Sequence, residues 1–228
     1  MAIFNAIAAR RAARSKYERD VAVALARLVR PGSICVDAGA HQGTFALLMA
    51  RLAGRHGHVY AFEPHPLNAA RVRRAVRWRG LERRVTVEQA ALLDRGGDAE
   101  LFPGRRPYAT TEWTVDLGFA AREDTAPVER PPIVVRALAL DEYLPAGRRI
   151  DVVKVDVEGA EARALGGMRR ILKDSAPAIL LEFHREVGWP AIGLLGELGY
   201  ELLDLDGEPL PPLEGPDAVP YHLLALRR

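Results

Sequence analysis

Val36-Asp37-Ala38-Gly39-Ala40-His41-Gln42-Gly43 is the stretch that decides how this chain is read. A short apolar run at residues 33–36 leads into it, and an apolar stretch of helical character at 44–52 leaves it. The order is strand, glycine turn, helix. A second apolar run, residues 58–62, ends in Glu63. Gly39 lets the backbone approach a ligand closely, and a helix N-terminus turns its free N–H groups toward it. An acid at the tip of the next strand can accept hydrogen bonds from both hydroxyls of a ribose. The layout predicts a nucleotide-type pocket.

Two cofactor classes compete for such a turn. A dinucleotide site wants G-x-G-x-x-G. Here Asp37 stands where the first of those glycines belongs, and the last glycine comes one residue late. Asp-x-Gly-x-x-x-Gly suits a ligand without a pyrophosphate but with a cationic or amino end that a carboxylate can meet. S-adenosylmethionine is such a ligand and is the expected cofactor, with NAD as the outside reading. The bland alternative is an ordinary strand–turn–helix corner with a capping Asp; Glu63-Pro64 speaks against it.

At 228 residues with 49% hydrophobic and 27% charged residues, the chain is long enough to bury a full core as one soluble domain. A net charge of +2 gives no global field for nucleic acid. The single cysteine, Cys35, lies in the first apolar run and excludes a disulfide framework. No apolar run is long enough to span a membrane, and the first 14 residues have no long apolar region or cleavage site, so a cytoplasmic location is the default expectation. Positive charge is carried by 29 arginines against three lysines, Lys16, Lys154 and Lys173. Lys154 lies inside an apolar strand, where a lysine is expensive.

Outward from the turn, residues 1–30 read as helical, with Tyr17, Val21, Ala24, Leu25 and Leu28 at helix spacing and a local charge of about +5. This is either an outer helix with a solvated face or a surface for an anionic substrate or membrane headgroups. Pro31-Gly32 stops it. Strands at 33–36, 58–62 and 84–89 then alternate with helices at 43–53 and 66–78. That alternation predicts a parallel sheet with helices on both faces. Residues 94–149 break the rhythm and read as an insertion covering the pocket, with strand-like pieces at 100–102, 112–115 and 133–137 and a short helix at 138–144. The pattern returns with strands at 150–155 and 177–183 and helices at 158–172 and 186–198. Residues 200–205 and 221–226 are predicted to pair. The expected division is an N-terminal helical segment, 1–32, followed by one domain, 33–228.

The second informative run is Asp151-Val152-Val153-Lys154-Val155-Asp156-Val157-Glu158-Gly159-Ala160-Glu161. Strand periodicity places Lys154 and Asp156 on one side at the carboxyl end, the edge where open α/β sheets bind ligands. The next strand ends Leu181-Glu182-Phe183-His184. Lys154, Asp156, Glu158, Glu182 and His184 are expected to converge beside the glycine turn, with Lys154 paired to Asp156 or Glu182.

Taken in order, these pieces resemble the FkbM family of S-adenosylmethionine-dependent methyltransferases. The resemblance rests on the glycine turn, Ala61-Phe62-Glu63-Pro64 with Asn68, Gln89-Ala90-Ala91-Leu92, Leu140-Asp141-Glu142-Tyr143-Leu144, the run from Val153 through Glu161 with Leu165 and Gly167, and Leu181-Glu182-Phe183-His184. It spans about residues 33–184. His41 stands where the family often has Asn, and 94–137 matches nothing in the pattern. The resemblance implies an α/β fold, the class I methyltransferase Rossmann-like doubly wound sheet, mostly parallel with an antiparallel C-terminal strand. It implies S-adenosylmethionine bound by Asp37, Gly39, Ala40, Gly43, Glu63, Gln89, Ala90 and Ala91. In those roles Asp37 steadies the turn and meets the methionine amino group, Glu63 holds the ribose, and Ala90 and Ala91 lie along the adenine.

Methyl transfer is an in-line displacement, so the protein must align an acceptor and, for a hydroxyl, take its proton. Asp156 is the first candidate base and His184 the second, since its ordinary titration range suits proton transfer near neutrality. Lys154 orients the base, and Glu182 completes the catalytic set. Glu158 and Glu161 read equally well as helix N-terminal acids. Asp156, Glu182 and His184 are an oxygen-rich group, but no sharp ligand motif is present and no metal is expected. The leading expectation is O-methylation of a sugar, glycolipid or polyketide-type small molecule. N-methylation of an amine or peptide and a non-catalytic cofactor-binding module are the alternatives. A basic stripe at 71–84 is a candidate nucleic-acid surface, but the near-neutral total and the lack of a base-stacking signature argue against a nucleic-acid partner.

Overall fold

In the computed structural model, which describes residues 16–103, 113–115 and 131–227, a larger sheet covered by helices is accompanied by a smaller one that the chain enters after the third strand of the first. The larger sheet has seven strands: β1 (Ile34–Ala38), β2 (His58–Phe62), β3 (Val85–Glu88), β8 (Val152–Val155), β9 (Ala178–Glu182), β10 (Glu201–Leu203) and β11 (His222–Leu226). Their spatial order is β10-β11-β9-β8-β1-β2-β3. β1 pairs in parallel with both β2 and β8, while β11 runs antiparallel between β10 and β9. The order reverses on either side of β1, which makes the carboxyl end of β1 the switch point where such sheets open a crevice. The smaller sheet, among the described residues, contains β4 (Ala91–Leu92), β5 (Gly97–Pro103), β6 (Trp113–Thr114) and β7 (Ile133–Leu138), in the order β4-β7-β5-β6.

Burial on both faces explains the apolar strands. All four residues of β8 are buried, Lys154 among them, so side chains of either parity meet a helix layer. On one face α1 (Lys16–Leu28), α2 (Thr44–Ala53) and α3 (Pro66–Trp78) bury Val21, Leu25, Met49, Val72 and Val76 against Cys35, Val59 and Leu180. On the other, α4 (Leu140–Tyr143), α5 (Glu161–Gly166), α6 (Arg169–Asp174) and α7 (Arg185–Glu197) bury Leu140, Leu165, Ile171 and Leu195 against Val36, Val153 and Leu181. The N-terminal helix is thus part of a core face. Residues 1–15, expected to be helical, lie outside the described residues, as do residues 104–112 and 116–130 of the segment expected to cover the pocket.

Two expectations change in detail. Asp37 lies within β1 rather than in the turn, which begins at Gly39. The helix expected at 158–172 is two short helices preceded by a turn. Glu158 and Gly159 adopt left-handed conformations, φ 50° and 94°, so the helix starts only at Glu161. It breaks at Gly166-Gly167 because Leu93 crosses there; a Cβ on Gly167 would stand 1.9 Å from the Leu93 carbonyl oxygen.

Candidate active site

The strand tips on one edge of the large sheet enclose a cavity of about 1000 Å³. Its walls come from Gly39 to Gln42 after β1, Phe62 to Pro64 after β2, Ala90 to Leu92 after β3, Asp156 to Glu158 after β8, Glu182 at the end of β9, and Tyr221 and His222 at the start of β11. Glu18 and Val21 of α1 close one side, and Leu101 and Val115 of the second sheet close another. Drug-sized pockets run from about 300 to 1,000 Å³, so this one has room for a nucleoside cofactor and an acceptor together.

The β1–α2 turn is built by close packing. Gly39 has φ 80°, and a Cβ there would lie 1.7 Å from the backbone oxygen of Asp156. The glycine is demanded by the neighbouring β8 loop, although Gly39 also faces the cavity. Gly43, φ 85°, packs on Val72 and does not line the cavity. Glu63 braces the turn from β2: its Oε2 accepts the His41 N–H at 2.7 Å and its Oε1 the His65 N–H at 2.9 Å. Burial raises the Glu63 carboxyl to about 7 in spite of those bonds. Ala90 and Ala91 face the cavity, whereas Gln89 is exposed outside its lining.

Beneath the turn sits an ion cluster. Lys154, 2% exposed, donates to Asp156 Oδ2 at 2.9 Å and stands 3.7 Å from Asp37 Oδ1. Its ammonium lies 5.1 Å from the centre of the Phe45 ring. Burial opposes its charge, but Asp156 and Asp37 together hold it above the ordinary lysine range. Asp37 is fully buried behind it, and burial raises its carboxyl to about 6 against the pull of Lys154. Of this cluster, Lys154 and Asp156 line the cavity and Asp37 does not, so in this structure Asp37 meets the lysine rather than ligand space.

A second cluster continues along the same edge. His184 lies behind the cavity wall, with Nδ1 2.7 Å from Glu161 Oε1 and Nε2 3.3 Å from Glu158 Oε2. Burial disfavours its charge, yet the two carboxylates raise it to about 11, so the ring is an imidazolium with both N–H groups donated. A ring in that state has no lone pair to take a proton. Glu161 Oε1 also accepts the Gly159 N–H at 2.9 Å, and Thr114 Oγ1 donates to the Glu158 carbonyl at 2.5 Å. These bonds pin the left-handed turn that presents Glu158 to the cavity, where burial raises its carboxyl. Glu182 accepts from the Tyr221 hydroxyl and contacts His222 Nε2 at 3.1 Å. In spite of burial, those partners and Lys154 hold Glu182 down at about 2.

Sequence reasoning placed Lys154, Asp156, Glu158, Glu182 and His184 at one edge, and the structure brings them there. It missed Tyr221, His222, Glu18, Val21 and Phe45 as cavity residues. For Tyr221 and His222 a signal existed: an antiparallel last strand starts at the edge where the parallel strands end. Among the described residues, no group of three or more His, Cys, Asp or Glu is placed to hold a metal ion, and no helix is long and apolar enough to cross a membrane.

The sheet order and the glycine turn are those of the class I methyltransferase fold. A family model described as the methyltransferase FkbM domain matches residues 37–202, and the chain belongs to that family. A search of curated proteins returns no match. Among solved structures, the chain is similar to the FkbM methyltransferase of Methylobacillus flagellatus KT, with a TM-score of 0.56 at 15% identity over 98% of this chain. It spans 58% of the length of that protein. It is similar to a precorrin-6y C5,15-methyltransferase of Geobacter metallireducens GS-15, with a TM-score of 0.54, 16% identity, 94% of this chain and 90% of that one. A Streptococcus mutans protein solved in complex with SAH gives a TM-score of 0.50 at 11% identity, over 90% of this chain and 94% of that one.

Proposed function

We propose that this chain transfers the methyl group of S-adenosylmethionine to a hydroxyl of a sugar, glycolipid or polyketide-type small molecule. The observation that carries the reading is the division of the cavity by the β1 turn. Glu63, Ala90 and Ala91 lie on the β2–β3 side, while Asp156, Glu158, Glu182, Tyr221 and His222 lie on the β8–β11 side. One side suits a nucleoside, since Glu63 lines the cavity and its three donors, the His41 and His65 N–H groups and the Asn68 side chain, leave the carboxylate a lone pair for a ribose hydroxyl. The other is rich in hydrogen-bonding groups that match a polyhydroxylated acceptor.

In the reaction, a lone pair of the acceptor oxygen attacks the methyl carbon in line with the C–S bond. That bond breaks, its electrons stay on sulfur, and neutral S-adenosylhomocysteine leaves. The hydroxyl proton passes to Asp156, whose Oδ2 is steadied by Lys154. His184 holds Glu158 in place.

Calorimetric titration tests the cofactor half. S-adenosylmethionine and S-adenosylhomocysteine bind and NAD does not, and Glu63→Ala weakens both by roughly 10–100-fold, the loss of a charge-assisted hydrogen bond. Turnover on hydroxylated acceptors tests the other half. Asp156→Asn lowers it by about 10²–10⁴-fold with cofactor affinity kept. A fully active Asp156→Asn enzyme would sink the hydroxyl reading and favour an amine acceptor, which needs less of a base.

A further inference from the structure

We propose that α3 is a docking surface for the anionic face of a lipid bilayer. Residues 66–84 carry seven arginines and one acid, Glu82, in a chain whose net charge is only +2; the rest of the protein is therefore net negative. Arg71, Arg73, Arg74, Arg77, Arg79 and Arg83 are all exposed. Among the described residues none of these six forms an ion pair.

The helix face they share is not purely charged. Leu67 is 64% and Trp78 82% exposed, two of the largest apolar exposures among the described residues. Leu67, Arg71, Arg74 and Trp78 follow i, i+4, i+7, i+11 spacing, so they form one line along the helix, opposite the buried Val72 and Val76. That line runs roughly 16 Å, with an apolar group at each end and guanidinium groups between. The Arg79 guanidinium sits 5.2 Å from the centre of the Trp78 ring.

A tryptophan left in water on a core-packed helix has no packing reason to be there. At a bilayer surface the indole inserts at headgroup level while arginines pair with lipid phosphates. An exposed apolar group at each end of a line of guanidinium groups suits a planar anionic surface with an apolar interior better than it suits RNA. The N-terminal half of α3 connects to a cavity residue: the Asn68 side chain hydrogen-bonds Glu63, and Arg71 bonds Asn68 Oδ1 at 3.2 Å. A membrane held against this face lies next to the site, whatever the acceptor is.

The test is vesicle co-flotation of the full chain. Vesicles containing phosphatidylglycerol capture the protein, pure phosphatidylcholine vesicles do not, and added salt releases it. Arg74→Glu/Arg77→Glu weakens capture by about ten-fold or more. Trp78→Ala abolishes the blue shift of tryptophan emission that vesicles induce, and both variants bind S-adenosylhomocysteine as the wild type does. No capture by anionic vesicles at low salt overturns the proposal. So does equal capture of the charge-reversed variant, or tighter binding of a single-stranded RNA than of the vesicles at the same salt.

Discussion

Lys154→Met isolates what the buried cation contributes. The substitution keeps most of the side-chain volume and removes the charge that lies 2.9 Å from Asp156 and 3.7 Å from Asp37. Two carboxylates are then left together with no counter-charge, one of them fully buried. Breaking a buried pair from one side costs about 3–5 kcal/mol, which in a domain of this size lowers the melting midpoint by roughly 6–20 °C. The cost depends on pH in a fixed direction. Asp37 already titrates at about 6 because burial raises it against Lys154. Without the lysine it rises further. A carboxyl raised in the folded state binds its proton there before it does in the unfolded chain, so acid relieves the variant. Denaturation followed by tryptophan emission at several pH values therefore shows the full penalty at pH about 8 and a much smaller one at pH about 5. Adding Asp37→Asn to Lys154→Met recovers more than half of the loss at the higher pH. An equal penalty at both ends of the range, or a double variant weaker than the single one, would refute the account of this cluster.

His184→Gln removes an imidazolium that folding raises from 6.5 to about 11. That stabilisation is complete below 6.5 and fades as pH climbs toward 11, so the stability gap between wild type and variant narrows from neutral to alkaline pH; a gap that widens contradicts the assignment. Gly39→Ala places a methyl group against the Asp156 backbone, while Gly32→Ala shares a positive φ with nothing within 4 Å. The first costs about 3 kcal/mol or more and the second about 1 kcal/mol, read by thermal denaturation side by side. Similar shifts for the two would mean that the β8 loop yields freely.

Much of this site was legible because its chemistry is costly out of place. A lysine in an apolar strand, an acid before proline at a strand tip and a glycine turn between strand and helix each have few physical explanations, and all three lie at the cavity. The bounds of α3 were readable from Pro66 at its first position and the spacing of Val72 and Val76. The turn at Glu158-Gly159 was not readable. Acids before an apolar run look like a helix N-terminus, and only His184, 26 residues on, shows why the backbone turns left-handed instead. Gly39 was expected for ligand approach, but what demands it is the backbone oxygen of Asp156, in the loop after β8 more than a hundred residues away. Tyr221 and His222 carry no local signature; strand direction alone brings them to the edge.

The cavity wall begins at Glu18 and ends at His222. A chain emerging from the ribosome can bring β1 and β2 together early, yet the Tyr221–His222 wall stays open until β11 slots between β9 and β10. Pairings at such long sequence separation are late and slow. The order of synthesis thus supplies the Glu63 wall of the cavity before the Tyr221–His222 wall, which closes only when the last strand of the sheet is in place.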